Sequence, residues 1–139
     1  MKIVYNSIIP FKGFSAITLW PWIFVRLGVR LTERLVNHES IHIEQQKEML
    51  AVGAVITLAL LLAGCGWWSL TALPLFLWWY GLEYIIKLVA SIFNGDRTYR
   101  SIGFEQEAYR YQDDLSYLDG RRRFAWVKDI FRLVPKKNS

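Results

Sequence analysis

The sequence predicts a mainly α-helical integral membrane protein, in which a long motif-bearing helix continues into a two-span hairpin behind a small N-terminal β-hairpin. Three observations carry that prediction. Apolar residues make up 53% of the 139 and aromatic ones 16%, with a positive mean hydropathy, which is high for a soluble domain of this size. The stretch from Met49 to Leu82 contains no charged residue, whereas a single membrane helix needs only about 20 apolar residues. Every Lys and Arg lies before residue 48 or after residue 86, so the charge flanks the apolar run instead of interrupting it.

Taken in order, residues 3–9 and 15–26 are rich in Ile, Val, Phe and Trp and flank Pro10-Phe11-Lys12-Gly13, which predicts a β-hairpin within residues 1–31. Pro21 would confine the second strand to an edge, and an edge around Ile17–Phe24 offers pairing to an extended peptide. Thr32 predicts a helix N-cap, and no breaker separates Glu33 from Gly53. One helix therefore occupies 32–64, with its membrane-spanning part at about 48–64. Gly64-Cys65-Gly66-Trp67-Trp68-Ser69 marks a tight apolar turn, after which 69–93 forms the second span. Within it Glu83 and Lys87 are four apart and predict an ion pair on one helix face, with polar groups near Gln46 as the other partner for Glu83.

Residues 94–103 read as a loop, and 104–118 as a polar helix. From 121 to 134, Phe124, Val127, Ile130, Phe131 and Val134 recur at helical spacing opposite Arg121, Arg122, Arg123, Lys128 and Arg132. That is a basic amphipathic helix, suited to an anionic lipid surface or to the protein's own core. A chain of this length forms one domain, 1–139.

Basic residues on both flanks, and none in the connecting turn, orient both termini toward the cytoplasm. The N-terminus lacks the unbroken apolar core of a signal peptide. The single cysteine, Cys65, has no partner for an internal disulfide. Although the net charge is +5, no basic stripe with interleaved stacking aromatics occurs, so nucleic acid is not an expected partner.

The chemistry concentrates in His38-Glu39-Ser40-Ile41-His42, a His-Glu-x-x-His sequence containing both histidines of the chain. On a helix, residues four apart share a face, so both imidazoles can reach one metal ion. Zinc lowers the pKa of a bound water to roughly 7, and Glu39 stands where a carboxylate can take its proton. A third protein ligand must be a carboxylate, because no third histidine exists. Glu44 and Glu48 lie on the motif helix itself and cannot turn to the metal. Glu83 falls about 12 Å deeper than His42 if the turn centres near residues 66–67. The returning helix at 104–118 leaves Glu105 and Glu107.

His38-Glu39-x-x-His42, a two-span hairpin, then Ser101-Ile102-Gly103-Phe104-Glu105-Gln106-Glu107-Ala108 resembles the gluzincin metallopeptidases. It looks most like a minimal version of their membrane branch, which holds the CAAX prenyl endopeptidases and the heat-shock membrane peptidases. There the second segment reads Ser-Arg-x-x-Glu-x-x-Ala-Asp, and Ser101, Glu105 and Ala108 match it, while Ile102 and Tyr109 replace the Arg and the Asp. The resemblance implies a zinc peptidase acting on polypeptide at the membrane, with His38, His42 and Glu105 as zinc ligands and Glu39 as the catalytic base. Glu107, Asp113 and Asp114 are candidates to support a ligand histidine. Tyr109, Tyr111 and Arg100 are candidates to stabilise an oxyanion. Two other readings fit the same residues: a non-catalytic membrane protein that senses metal or docks a partner, and a zinc hydrolase of a non-peptide amide or ester.

Overall fold

Three short strands precede the helices. β1 (Lys2–Asn6), β2 (Ala16–Leu19) and β3 (Trp22–Arg26) form one sheet in the order β1-β3-β2, with β3 parallel to β1 and antiparallel to β2. The computed structural model describes residues 2–8, 14–94 and 102–130. The expected hairpin between 3–9 and 15–26 is thus corrected: the turn lies inside the second run, at Trp20-Pro21, and β1 returns alongside β3. Proline has no N–H to give to a ladder, so the chain turns at Pro21 instead of extending through it. As a result β3 is central, and β2 is the edge strand that faces the helices.

α1 runs from Glu33 to Leu62, as the capping signal and the lack of breakers predict. The Thr32 hydroxyl accepts a hydrogen bond from the Leu35 amide at 3.2 Å, satisfying one orphan donor of the first turn. Its first half is clamped by the sheet and by later segments. Beyond Gly53 most of its side chains are exposed. A 3-10 helix, Gly66–Ala72, forms the turn and packs back on α1, where a Cβ on Gly53 would lie only 2.5 Å from the Ala72 carbonyl oxygen. α2 then occupies Leu75–Asn94. It starts later than the expected 69, because Pro74 opens the helix: its carbonyl accepts from Leu77 at 2.9 Å, and its fixed φ suits a first turn. α1 is the one helix among the described residues long and apolar enough to cross a membrane, by length and composition; the apolar stretch of α2, Leu75–Ile86, is shorter.

α3 spans Gly103–Tyr111, not 104–118. It stops where the carboxamide of Asn37 donates to three carbonyls, those of Tyr111, Gln112 and Asp114, at 3.0–3.1 Å. A single turn, α4 (Tyr117–Gly120), and a 3-10 helix, Ala125–Asp129, follow. The continuous helix expected over 121–134 is not present through residue 130, and 131–134 lie outside the described residues. The segment is pinned to the protein's own core instead: Trp126 and Asp129 are buried, and Asp129 holds Arg110 through two bonds of 2.9 and 3.0 Å. Glu83 joins this side as well, accepting from the Gly103 amide at 2.7 Å and so holding the start of α3. The Lys87 side chain lies outside the described residues, and Gln46 pairs with β2.

Two apolar clusters result. Ala16, Ile23, Val25 and Ile43 join the sheet to α1, and Met49, Ile102, Phe104 and Trp126 join α1 to α2, α3 and the final 3-10 helix.

Candidate metal centre

One turn of α1 separates His38 from His42, and helical geometry sets their rings on a common face. The two Nε2 atoms are 3.2 Å apart. α3 crosses this face and delivers Glu105, whose carboxylate straddles the pair with Oε2 3.5 Å from His38 Nε2 and Oε1 3.5 Å from His42 Nε2. Ligand atoms on one tetrahedral ion with bonds of roughly 2.0–2.1 Å lie roughly 3.3 Å apart, a spacing the two nitrogens already have. The carboxylate offers each of them a different oxygen, and one donor atom from each of the three residues falls within 4.8 Å of the others. His38, His42 and Glu105 form a group that can hold a metal ion.

The hydrogen bonding around the group points the same way. The Gln45 carboxamide donates through Nε2 to the Phe104 carbonyl and to Glu107 Oε2, each at 3.0 Å, so its oxygen must face His42. That oxygen lies 2.7 Å from His42 Nδ1, which therefore carries a proton and leaves Nε2 as the atom that takes a proton or a metal ion opposite Glu105. Glu105 is 2% exposed, and its Oε2 accepts no hydrogen bond among the described residues; Tyr80 reaches Oε1 at 3.3 Å. Lone pairs and a buried carboxylate that converge in this way require a proton or a metal ion between them. Burial alone would lower the His42 pKa, but the Glu105 carboxylate, with Glu39 and Gln45 behind it, raises it to about 9. Burial alone would raise that of Glu105, yet the two imidazoles hold it well below the usual carboxylate range.

Glu39 is buried beside the group, and the Thr18 hydroxyl donates to its Oε2 at 2.6 Å. Tyr109 sets its ring edge-on to His38, with centroids 4.8 Å apart. Tyr111 is turned away, stacked on Tyr117 at 3.8 Å. Asp113 pairs with exposed Arg34, and Asp114 accepts from Ser116, so neither meets a motif histidine. Arg100 lies outside the described residues.

Glu107 reaches His42 only through Gln45. Its other partners are Tyr117 at 2.8 Å and Arg121 at 2.6 and 3.1 Å, and Arg121 also holds Glu48. This buried pairing of Arg121 with Glu48 and Glu107 locks the C-terminal segment against α1 and α3. Sequence reasoning missed Gln45, Thr18 and Arg121. Gln45 had a signal, its place three residues after His42 on the same helix face. Thr18 and Arg121 had none, because strand-to-helix and tail-to-helix pairings leave no spacing pattern.

Two clefts open on either side of Glu39. One, of about 580 Å³, is walled by apolar side chains including Phe76, Leu77, Tyr80 and Phe104, and is shared by Glu39, His42 and Glu105. The other, of about 620 Å³, contains Arg30, Thr32, Arg34 and Tyr109 along with His38. Comparison with protein-family models, curated protein sequences and solved structures finds no match to this chain.

Proposed function

We propose that the chain is a zinc-dependent membrane metallopeptidase that hydrolyses peptide bonds close to the membrane surface. The observation that carries the reading is the convergence of His38, His42 and Glu105, with one donor atom from each within 4.8 Å of the others and Glu39 buried next to them and lining both clefts. Two imidazoles and one carboxylate are the ligand set of catalytic zinc sites that keep a fourth position open.

Zinc bound there supplies a Lewis acid and an acidified water. The chain's own residues do the rest. Gln45 keeps His42 in the tautomer that presents Nε2. Glu39 takes the proton of the attacking water and passes it to the leaving amine, while the Thr18 hydroxyl holds the carboxylate in place. Tyr109, whose ring stands edge-on to His38 and lines the polar cleft, is the candidate to donate to the developing oxyanion.

The membrane part of the proposal rests on exposed apolar surface. Val55 and Leu62 on α1, Trp67 and Trp68 at the turn, and Trp78 and Leu82 on α2 present their side chains outward. A soluble monomer rarely carries such a contiguous surface, whereas lipid covers it at no cost. The metal group then lies at the membrane boundary, beyond the exposed part of α1 and level with Tyr80 and Glu83 of α2, on the side flanked by the basic residues.

Metal analysis of the purified protein, compared with activity on a casein-type substrate in lipid nanodiscs, tests the reading. Glu39→Gln is expected to keep stoichiometric zinc and lose hydrolysis by at least about 100-fold. Glu105→Ala is expected to lose the zinc. Full hydrolysis in Glu39→Gln, or unchanged zinc in Glu105→Ala, would overturn the assignment.

A further inference from the structure

We infer that the cavity between β2, α1 and α2 is the subsite for a bulky apolar side chain of the substrate polypeptide, next to the scissile bond, and that Gly81 is the residue that makes room for it. The inference rests on the peptidase reading and adds its specificity.

The cavity belongs to the site, because Glu39, His42 and Glu105 form part of its wall. Its volume of about 580 Å³ lies within the range of roughly 300–1,000 Å³ usual for ligand sites. The remaining wall is largely apolar, whereas the cleft beyond Glu39 carries Arg30 and Arg34. An extended chain crossing Glu39 therefore meets an apolar environment on one side and a basic, polar one on the other.

Gly81 is the second observation. Glycine inside a helix is destabilising relative to alanine, so it needs a reason. Gly53 has one in the Ala72 carbonyl 2.5 Å from where its Cβ would be, and Gly103 has one in the Trp126 carbonyl at 3.2 Å. A Cβ on Gly81 would meet nothing within 4 Å, and its backbone φ is not positive. Neither packing nor backbone conformation within the described residues accounts for glycine there. It lines the cavity, and space left for a ligand does account for it.

The occupant is a polypeptide side chain because the opposite wall is the edge strand β2. Thr18 directs its carbonyl away from β3, to Gln46, and by the two-residue period of a strand Ala16 faces the same way. Gln46 already takes the Thr18 carbonyl and the Trp20 amide, so it is the Ala16 end of this edge, also on the cavity wall, that can align a peptide backbone while a side chain points at Gly81.

The test uses the full chain in lipid nanodiscs, with Cys65→Ser removing the one native thiol and Gly81→Cys introducing one in the cavity. The probes are capped heptapeptides that differ only in a central Phe, Leu, Ala or Ser, and the readout is the rate of alkylation by N-ethylmaleimide. The Phe and Leu peptides at millimolar concentration are expected to slow alkylation at least tenfold, and the Ser peptide to leave it unchanged. Equal protection by Phe and Ser peptides, or protection by none, overturns the subsite. In a second arm, Gly81→Phe is expected to reduce cleavage of the Phe and Leu peptides at least tenfold relative to the Ala peptide, with zinc content unchanged; an equal loss for all peptides also overturns it. Protection by the Phe peptide without any hydrolysis in the otherwise native protein would remove the peptidase reading and leave the apolar polypeptide site standing. Hydrolysis without protection would do the reverse.

Discussion

Oε1 of Gln45 lies 2.7 Å from Nδ1 of His42. The direction of this bond is set from elsewhere: Gln45 Nε2 already serves the Phe104 carbonyl and Glu107, both acceptors. The imidazole thereby keeps a proton on Nδ1, and Nε2 is the atom that shares a proton or a metal ion with Glu105. Gln45→Leu keeps the volume and removes the constraint. Zinc affinity is expected to fall roughly 10- to 100-fold, the usual effect of losing a partner behind a ligand histidine. Competition with a fluorescent chelator measures it, and Gln45→Glu, which still offers an acceptor to Nδ1, should recover part of the loss.

The His42–Glu105 pair predicts how the metal-free protein responds to pH. Burial by itself would lower the His42 pKa, but Glu105 outweighs it and raises the folded value from 6.5 to about 9. A raised pKa contributes stability that is fully present below 6.5 and is lost as pH climbs through about 9. The melting temperature of chelator-treated protein is therefore expected to fall between pH 6.5 and 9. Zinc competes with the same proton, so its affinity should increase over that window, with proton release on binding detectable by calorimetry in buffers of different ionisation enthalpy. A flat melting profile across the window would contradict this account.

Arg121 is almost fully buried between Glu48 and Glu107. Burial alone would lower its pKa, but these carboxylates raise it, so the guanidinium is charged at any working pH. Arg121→Met leaves two buried carboxylates facing each other without a counter-charge, and the loss of one partner from such a network costs about 3–5 kcal/mol. Chemical unfolding should show it. Adding Glu48→Gln and Glu107→Gln to Arg121→Met is expected to restore part of the stability, because the uncompensated charges are then gone.

How much of this was legible in the sequence depended on whether a partner sits at a fixed spacing. α1, its Thr32 cap, the His38–His42 pair and the arrival of a carboxylate from the returning helix follow periodicity and local signals, and they were readable. The β-sheet was misread because Pro21 is compatible with an edge strand or with a turn, and only the packing of β3 at the centre of the sheet decides between them. The tail was misread because Phe124, Val127 and Ile130 have helical spacing, yet Glu48 captures Arg121, the Phe124 amide and the Trp126 indole and winds the segment round α1 instead. Local propensity was overridden there by one buried carboxylate that accepts from three groups far along the chain.

Gly53 gives a prediction about the hairpin. Its Cβ position lies 2.5 Å from the Ala72 carbonyl oxygen and 2.7 Å from that of Leu73, both backbone atoms that cannot swing aside. Gly53→Ala is expected to destabilise by about 1–3 kcal/mol, against the gain alanine usually brings to a helix. A melting temperature equal to or above that of the native chain would mean the 3-10 helix is not packed on α1 as described.

Thr18 gives the last prediction, and it separates geometry from chemistry at Glu39. The hydroxyl donates to Glu39 Oε2 at 2.6 Å and lies 3.2 Å from the Glu39 carbonyl, so one side chain on β2 fixes both the carboxylate and the turn of helix that carries it. Hydrogen bonds to charged groups contribute about 1.5–3 kcal/mol. Thr18→Val has nearly the same shape and lacks the donor. Under the proposed mechanism kcat is expected to fall about tenfold or more, because Glu39 spends less time aligned with the attacking water, while zinc content stays stoichiometric because no ligand is touched. Thr18→Ser restores the hydroxyl and should restore most of the rate. If Thr18→Val lost zinc and rate together, the residue would be supporting the fold of the metal group and not orienting the base.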